Sequence, residues 1–139
     1  MAEAQKKILV VDDEPAMLKV IGKRLEVAGF QVSVAMDGQA ALVKVQQEKP
    51  DLVILDVMMP YLDGFEVCTR LKRDPRFRHI PVVIFTAKDQ EDDYWRGKAC
   101  GADAFMLKPS GGQALEQLVN RLTAALQGAG DGAQGAPRE

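Results

Sequence analysis

The chain has 139 residues, 47% of them hydrophobic, which is the size of one ordinary domain with enough apolar material for a real core. Its 18 Lys and Arg are offset by 20 Asp and Glu, a formal net charge of -2, so no basic field is available to hold nucleic acid or an anionic membrane by electrostatics alone. The polar start, Met1 to Lys7, leads into no long apolar stretch, and neither a signal peptide nor a membrane span is expected.

Strand-like and helix-like stretches alternate five times. The apolar run Ile8 to Val11 precedes a helix expected over Pro15 to Ala28, with Leu18, Ile21, Leu25 and Ala28 at helical spacing and Gly29 as its stop. Pro15 suits a first helical turn. Gln31 to Ala35 alternates at Val32 and Val34 and reads as an edge strand. Gly38 to Glu48 carries Ala41, Leu42 and Val45 on one face, and Pro50 breaks it before the strand Leu52 to Leu55.

A third helix is expected over Gly64 to Arg73 with Val67, Cys68 and Leu71 inward, ended by Asp74-Pro75; Pro81 then introduces the strand Val82 to Phe85. A fourth helix runs from about Asp89 to Cys100, stopped by Gly101, and Glu91-Asp92-Asp93 favours its first turn through the helix dipole. After the strand Ala104 to Leu107, a last helix presents Leu115, Leu118, Val119, Leu122 and Leu126 on one face, with Ser110 and Gln113 as a capping box.

Almost continuously apolar strands alternating with helices predict an α/β fold: a doubly wound, flavodoxin-like (βα)5 parallel sheet covered on both faces, strand order 2-1-3-4-5. The folded domain is placed at residues 6–127. Residues 128–139, rich in Gly and Ala and without periodicity, are expected to form a flexible tail or linker stub. Within it, Gly130 to Gly135 matches a dinucleotide-binding fingerprint, but follows a helix and opens none, so it is set aside.

Each of four strands ends in a residue that can handle a phosphoryl group or a metal: Asp12-Asp13, Asp56, Thr86 and Lys108. The carboxyl edge of an open parallel sheet is where such folds bind ligands, and strands one and three flank its switch point. Three carboxylates brought together there require a positive charge among them, and magnesium suits hard oxygen donors. The plainer readings are a helix N-cap for one of Asp12 and Asp13 and a turn aspartate for Asp56. They leave the repetition across four strands unexplained.

These residues resemble the receiver domains of two-component response regulators, and in particular the single-domain chemotaxis regulators. The resemblance rests on Ile8 to Asp13, on Pro50 to Pro60 with Asp56 in its middle, and on Asp63-Gly64, Thr86-Ala87, Gly101-Ala102-Asp103 and Lys108-Pro109. It covers Lys6 to Leu126. It implies that Asp56 accepts a phosphoryl group from a phosphohistidine on a sensor histidine kinase or phosphotransfer protein. It further implies that Asp12, Asp13, Asp56 and the Met58 carbonyl hold Mg2+, that Lys108 pairs with the phosphoryl oxygens across a cis Lys108-Pro109 bond, and that Thr86 donates its hydroxyl to the phosphate.

By the same resemblance, Phe105 follows Thr86 inward and reshapes the face made by the fourth helix, fifth strand and fifth helix, where a downstream protein binds. Phe105 lacks a tyrosine hydroxyl and cannot hydrogen-bond in either position. Met58 and Lys88 stand where the family tunes hydrolysis of the acyl phosphate, and the apolar bulk of Met58 is expected to slow it. Tyr94 and Trp95, adjacent on the expected fourth helix, cannot both face the core; the outward one is a candidate partner contact. His79 is read as structural.

Cys68 and Cys100 lack metal-ligand spacing and are read as small buried apolar residues of a reduced, cytoplasmic protein. No direct nucleic-acid or membrane partner is expected, and no enzyme activity beyond the domain's own phosphoryl transfer and dephosphorylation. Competing readings are a receiver cut from a larger regulator, a haloacid-dehalogenase-like phosphatase and a flavodoxin-type electron carrier. The phosphatase places its nucleophile in an Asp-x-Asp motif on strand one, and Asp12-Asp13-Glu14 would repel the phosphate of a flavin.

Overall fold

Strands that are apolar on both faces demand cover on both faces, and alternate residues along them divide the core in two. The computed structural model describes residues 5–57, 59, 62–86, 98–107 and 112–129. Strands β1 (Lys7–Val11), β2 (Gln31–Ala35), β3 (Leu52–Leu55), β4 (Val82–Thr86) and β5 (Ala104–Leu107) form one parallel sheet in the order β2-β1-β3-β4-β5. This is the expected order, with β2 at an edge and only its last residue buried.

On one face Leu9, Val11, Val53, Leu55, Val82 and Ile84 pack against α2 (Gly38–Glu48) and α3 (Gly64–Arg73) through Ala41, Val45, Val67 and Leu71. On the other, Ile8, Val10, Leu52, Ile54, Val83 and Phe85 meet Leu18, Ile21 and Leu25 of α1 (Pro15–Val27) and Leu115, Leu118 and Val119 of the C-terminal helix, Gly112–Ala129. The sheet is therefore doubly wound.

Local departures from expectation have local causes. Neither Asp12 nor Asp13 caps α1; the N-cap is Glu14, which makes no side-chain cap bond, and Asp12 Oδ1 instead accepts the Glu14 N–H at 2.9 Å. The aspartate is drawn into the site ahead of the helix. β4 extends one residue further than its apolar run, through Thr86, because Thr86 pairs with Leu107 of β5. The last helix continues through Gly128 and Ala129, past the expected start of the tail, since adding a residue to an existing helix is far easier than starting one. The expected fourth helix falls mainly outside the described residues, as do Met58, Lys88, Tyr94, Trp95, the Glu91 to Asp93 run, Lys108-Pro109, Ser110 and residues 130–139. Its end is visible: Lys98 and Ala99 are helical and Gly101 turns the chain at φ 90°.

Beyond Gly101, Asp103 fastens β5 to β4 and α3. Its Oδ2 accepts the Val82 N–H at 2.8 Å and pairs with Lys72 Nζ at 2.8 Å, while Asp103 N–H donates to the Val82 carbonyl at 2.8 Å. Lys72 also donates to the Ile80 carbonyl at 2.8 Å. A Cβ on Gly101 would stand 3.1 Å from Lys72 Cγ as well as straining a left-handed backbone. Gly101→Ala is expected to lower unfolding stability by about 1–3 kcal/mol. Urea titration of variant and parent checks this, with an unchanged midpoint as the contrary result.

Candidate functional site

Register along the sheet sets the site. Val11 of β1 is level with Leu55 of β3, so the next residues, Asp12 and Asp56, emerge side by side at the carboxyl ends of two adjoining central strands. Two backbone bonds hold the exits of these strands: Asp12 N–H donates to the Ala35 carbonyl at 3.1 Å, and Asp56 N–H to the Val11 carbonyl at 2.9 Å. Both residues are buried, at 2% and 6% exposure, which aspartates seldom are.

Asp13 lies beside them and is exposed. Carboxylate oxygens of Asp12, Asp13 and Asp56 all come within 4.8 Å of one another. Two like unit charges at that spacing repel by roughly 3 kcal/mol at an effective dielectric of about 20. Three oxygen donors, two sheltered and one open to water, fit a hard divalent cation that keeps part of its hydration shell. They offer no nitrogen or sulfur ligand to a softer metal.

Thr86, at the end of β4, is fully buried. Since β3 pairs with β4 at Leu55 and Ile84, Thr86 stands one residue beyond the level of Asp56. Phe105 is level with Ile84, half-buried, and packs against the α2 and α3 side of the core. The structure thus brings together Asp12, Asp13 and Asp56 and sets Thr86 on the neighbouring strand end. Lys108 and Met58, expected in the same site, lie outside the described residues.

Two residues quoted in the sequence motifs without a role have one here. Asp63 caps α3 through Oδ1 and the Glu66 N–H at 2.9 Å. Gly64, the first helical residue, lies so close to Asp56 that a built Cβ would collide with the Asp56 carbonyl oxygen. Val57 accepts N–H bonds from both Met59 and Gly64, at 3.1 and 3.2 Å, folding the β3–α3 loop back on itself. The sequence signal was a glycine immediately after an N-cap aspartate, where glycine has no advantage for the helix itself.

A family model described as the response regulator receiver domain matches residues 8–120. Response regulator PleD of Caulobacter vibrioides is 45% identical over 117 residues, covering 84% of this chain and 26% of that protein. The alkaline phosphatase synthesis transcriptional regulatory protein PhoP of Bacillus subtilis is 48% identical over 104 residues, covering 75% and 42%. The chain thus spans about a quarter to a half of the length of these curated relatives. Among solved structures, chemotaxis response regulator CheY4 of Vibrio cholerae superposes with a TM-score of 0.80 at 30% identity, covering 86% of this chain and 99% of that one. The receiver domain of the Francisella response regulator 1452 gives 0.81 at 31%, covering 88% and 99%. With its doubly wound sheet and clustered aspartates, the chain belongs to the family of response regulator receiver domains of two-component systems.

Proposed function

We propose that Asp56 is the phosphoacceptor of this receiver and that the chain works as a phosphorylation-controlled switch. The carrying observation is the meeting of the Asp12, Asp13 and Asp56 carboxylates within 4.8 Å at the ends of β1 and β3. An Asp56 carboxylate oxygen attacks the phosphorus of a phosphohistidine on a sensor kinase or phosphotransfer protein; the P–N bond breaks and the imidazole leaves. Asp12, Asp13, Asp56 and the Met58 carbonyl are the residues that would hold magnesium. When bound, the ion supplies positive charge against the acids and the phosphoryl oxygens.

Asp56 is held for this task by its backbone bond to Val11 and by the close approach of Gly64. The Thr86 hydroxyl and the Lys108 ammonium are assigned to the phosphoryl oxygens, the lysine on sequence placement after Leu107. An aspartyl phosphate adds charge and acceptor oxygens, so it favours the arrangement that brings Thr86 to it. Phe105 then repacks, and the face around β5 changes for a downstream protein. The receiver is assigned to residues 6–127, its last helix running on through Ala129, in a cytoplasmic protein whose only chemistry is its own phosphoryl transfer and loss.

Incubation with acetyl phosphate and magnesium should add one phosphoryl group to the intact mass. Asp56→Asn should abolish the addition, and chelation of the metal should do the same to the parent chain. Retention of the added mass in Asp56→Asn would assign the acceptor elsewhere. Gly64→Ala forces the loop off the Asp56 carbonyl and is expected to slow phosphorylation by at least tenfold, equivalent to about 1.4 kcal/mol in the barrier. Time courses at saturating phosphodonor measure this, and a rate equal to the parent's would remove the positioning role from Gly64.

A further inference from the structure

The two cysteines take no part in the acidic site, yet the fold brings them together from positions 32 residues apart. Cys68, on the inward face of α3, is fully buried; Cys100, in the turn ahead of Gly101, is 6% exposed. Cys68 Sγ donates to the Cys100 carbonyl at 3.4 Å, and both cysteines belong to the buried cluster on the α2 and α3 side of the sheet. A thiol set against the backbone of a second buried cysteine, at the junction of two elements, is more than a small residue filling a core.

Their surroundings divide the labour between them. Hydrogen bonding to Cys100 and then burial push the Cys68 thiol far up, so Cys68 keeps its proton. The bond from Cys68 holds the Cys100 thiol below its ordinary value, aided by the Ala102 N–H and, more weakly, the Lys72 ammonium, against the opposing effect of burial. Cys100 also borders an open groove of about 520 Å³ lined by Leu62, Phe65, Thr69, Arg73 and Ala99.

We propose that Cys68 and Cys100 are a modification site, oxidised by hydrogen peroxide to an intramolecular disulfide that ties α3 to the turn leading into β5. The Cys100 thiolate attacks one peroxide oxygen; the O–O bond breaks, hydroxide leaves and is protonated to water, and Cys100 becomes a sulfenic acid. The Cys68 sulfur then attacks the Cys100 sulfur, the S–O bond breaks, and the hydroxyl departs with the Cys68 proton as a second water. Two electrons pass from the thiols to one peroxide. In a reducing compartment such a bridge is transient, formed under peroxide and reversed by thiols.

The full chain, treated with hydrogen peroxide, blocked with an alkylating agent and digested without reductant, tests the site. The readout is the bridged pair of peptides, because the six methionines also take up oxygen and obscure the intact mass. Expected is a Cys68–Cys100 crosslink in monomeric protein, lost on adding dithiothreitol, with a thermal midpoint several degrees above that of the reduced chain. Cys68→Ser should leave a sulfenic acid on Cys100 that dimedone traps. The parent-chain crosslink needs no variant to fold. Peroxide-treated parent chain whose two cysteines both remain alkylatable, or are joined only between molecules, would overturn the proposal.

Discussion

Everything distinctive about this molecule follows from the parallel pairing of β1 with β3 in a register that levels Val11 with Leu55. That register alone sets two buried acids side by side, at a cost the apolar runs behind them must carry. Both strands are buried from Ile8 to Val11 and from Leu52 to Leu55, so hydrophobic burial upstream offsets charge repulsion at their ends. The like-charged pocket also explains why a cation belongs there. A ligand bound by the native state and not by the unfolded chain adds to stability, so a cation held among these acids would stabilise the fold.

Burial falls away along the sheet in a direction that matters for switching. β1, β3 and β4 are buried nearly throughout, whereas β5 is half-exposed at Ala104, Phe105 and Met106 and exposed at Leu107. A rearrangement of β5 alone would disturb less of the apolar core than one of β4. Elements that move in response to a ligand are drawn from such weakly buried parts of a fold. At the opposite end of β5, Asp103 holds Val82 and Lys72. The strand is anchored where it begins and loosely packed toward the site.

Much of this was legible in the residues because each element carries its own punctuation. Pro15, Pro50 and Pro81 mark entries, Gly29 and Gly101 mark exits with the left-handed backbone their position required, and continuous apolar runs announce buried parallel strands. The grouping of Asp12, Asp13 and Asp56 followed from strand order, since the switch point lies between strands one and three. What could not be read was whatever depends on distances between segments remote in sequence. The Asp12 side chain turns to the Glu14 N–H instead of capping α1; Gly64 is packed on Asp56; Cys68 touches Cys100. Composition and periodicity carry no record of such contacts, because many residues satisfy the same pattern without meeting.

Helix α3 joins these contacts into one mechanical unit. Its ten residues make a rod of about 15 Å, running against the strand direction from the acidic site to the start of β4. Gly64 at its first turn rests on the Asp56 backbone, Cys68 one turn later meets Cys100, and Lys72 one turn beyond holds Asp103 and the Ile80 carbonyl. On the proposed reading, a phosphoryl group on Asp56 bears on the same rod that carries Cys68. Locking Cys68 to Cys100 would leave α3 fewer ways to yield. The proposed acceptor and the proposed cysteine bridge would then act on one packed element through different chemistry.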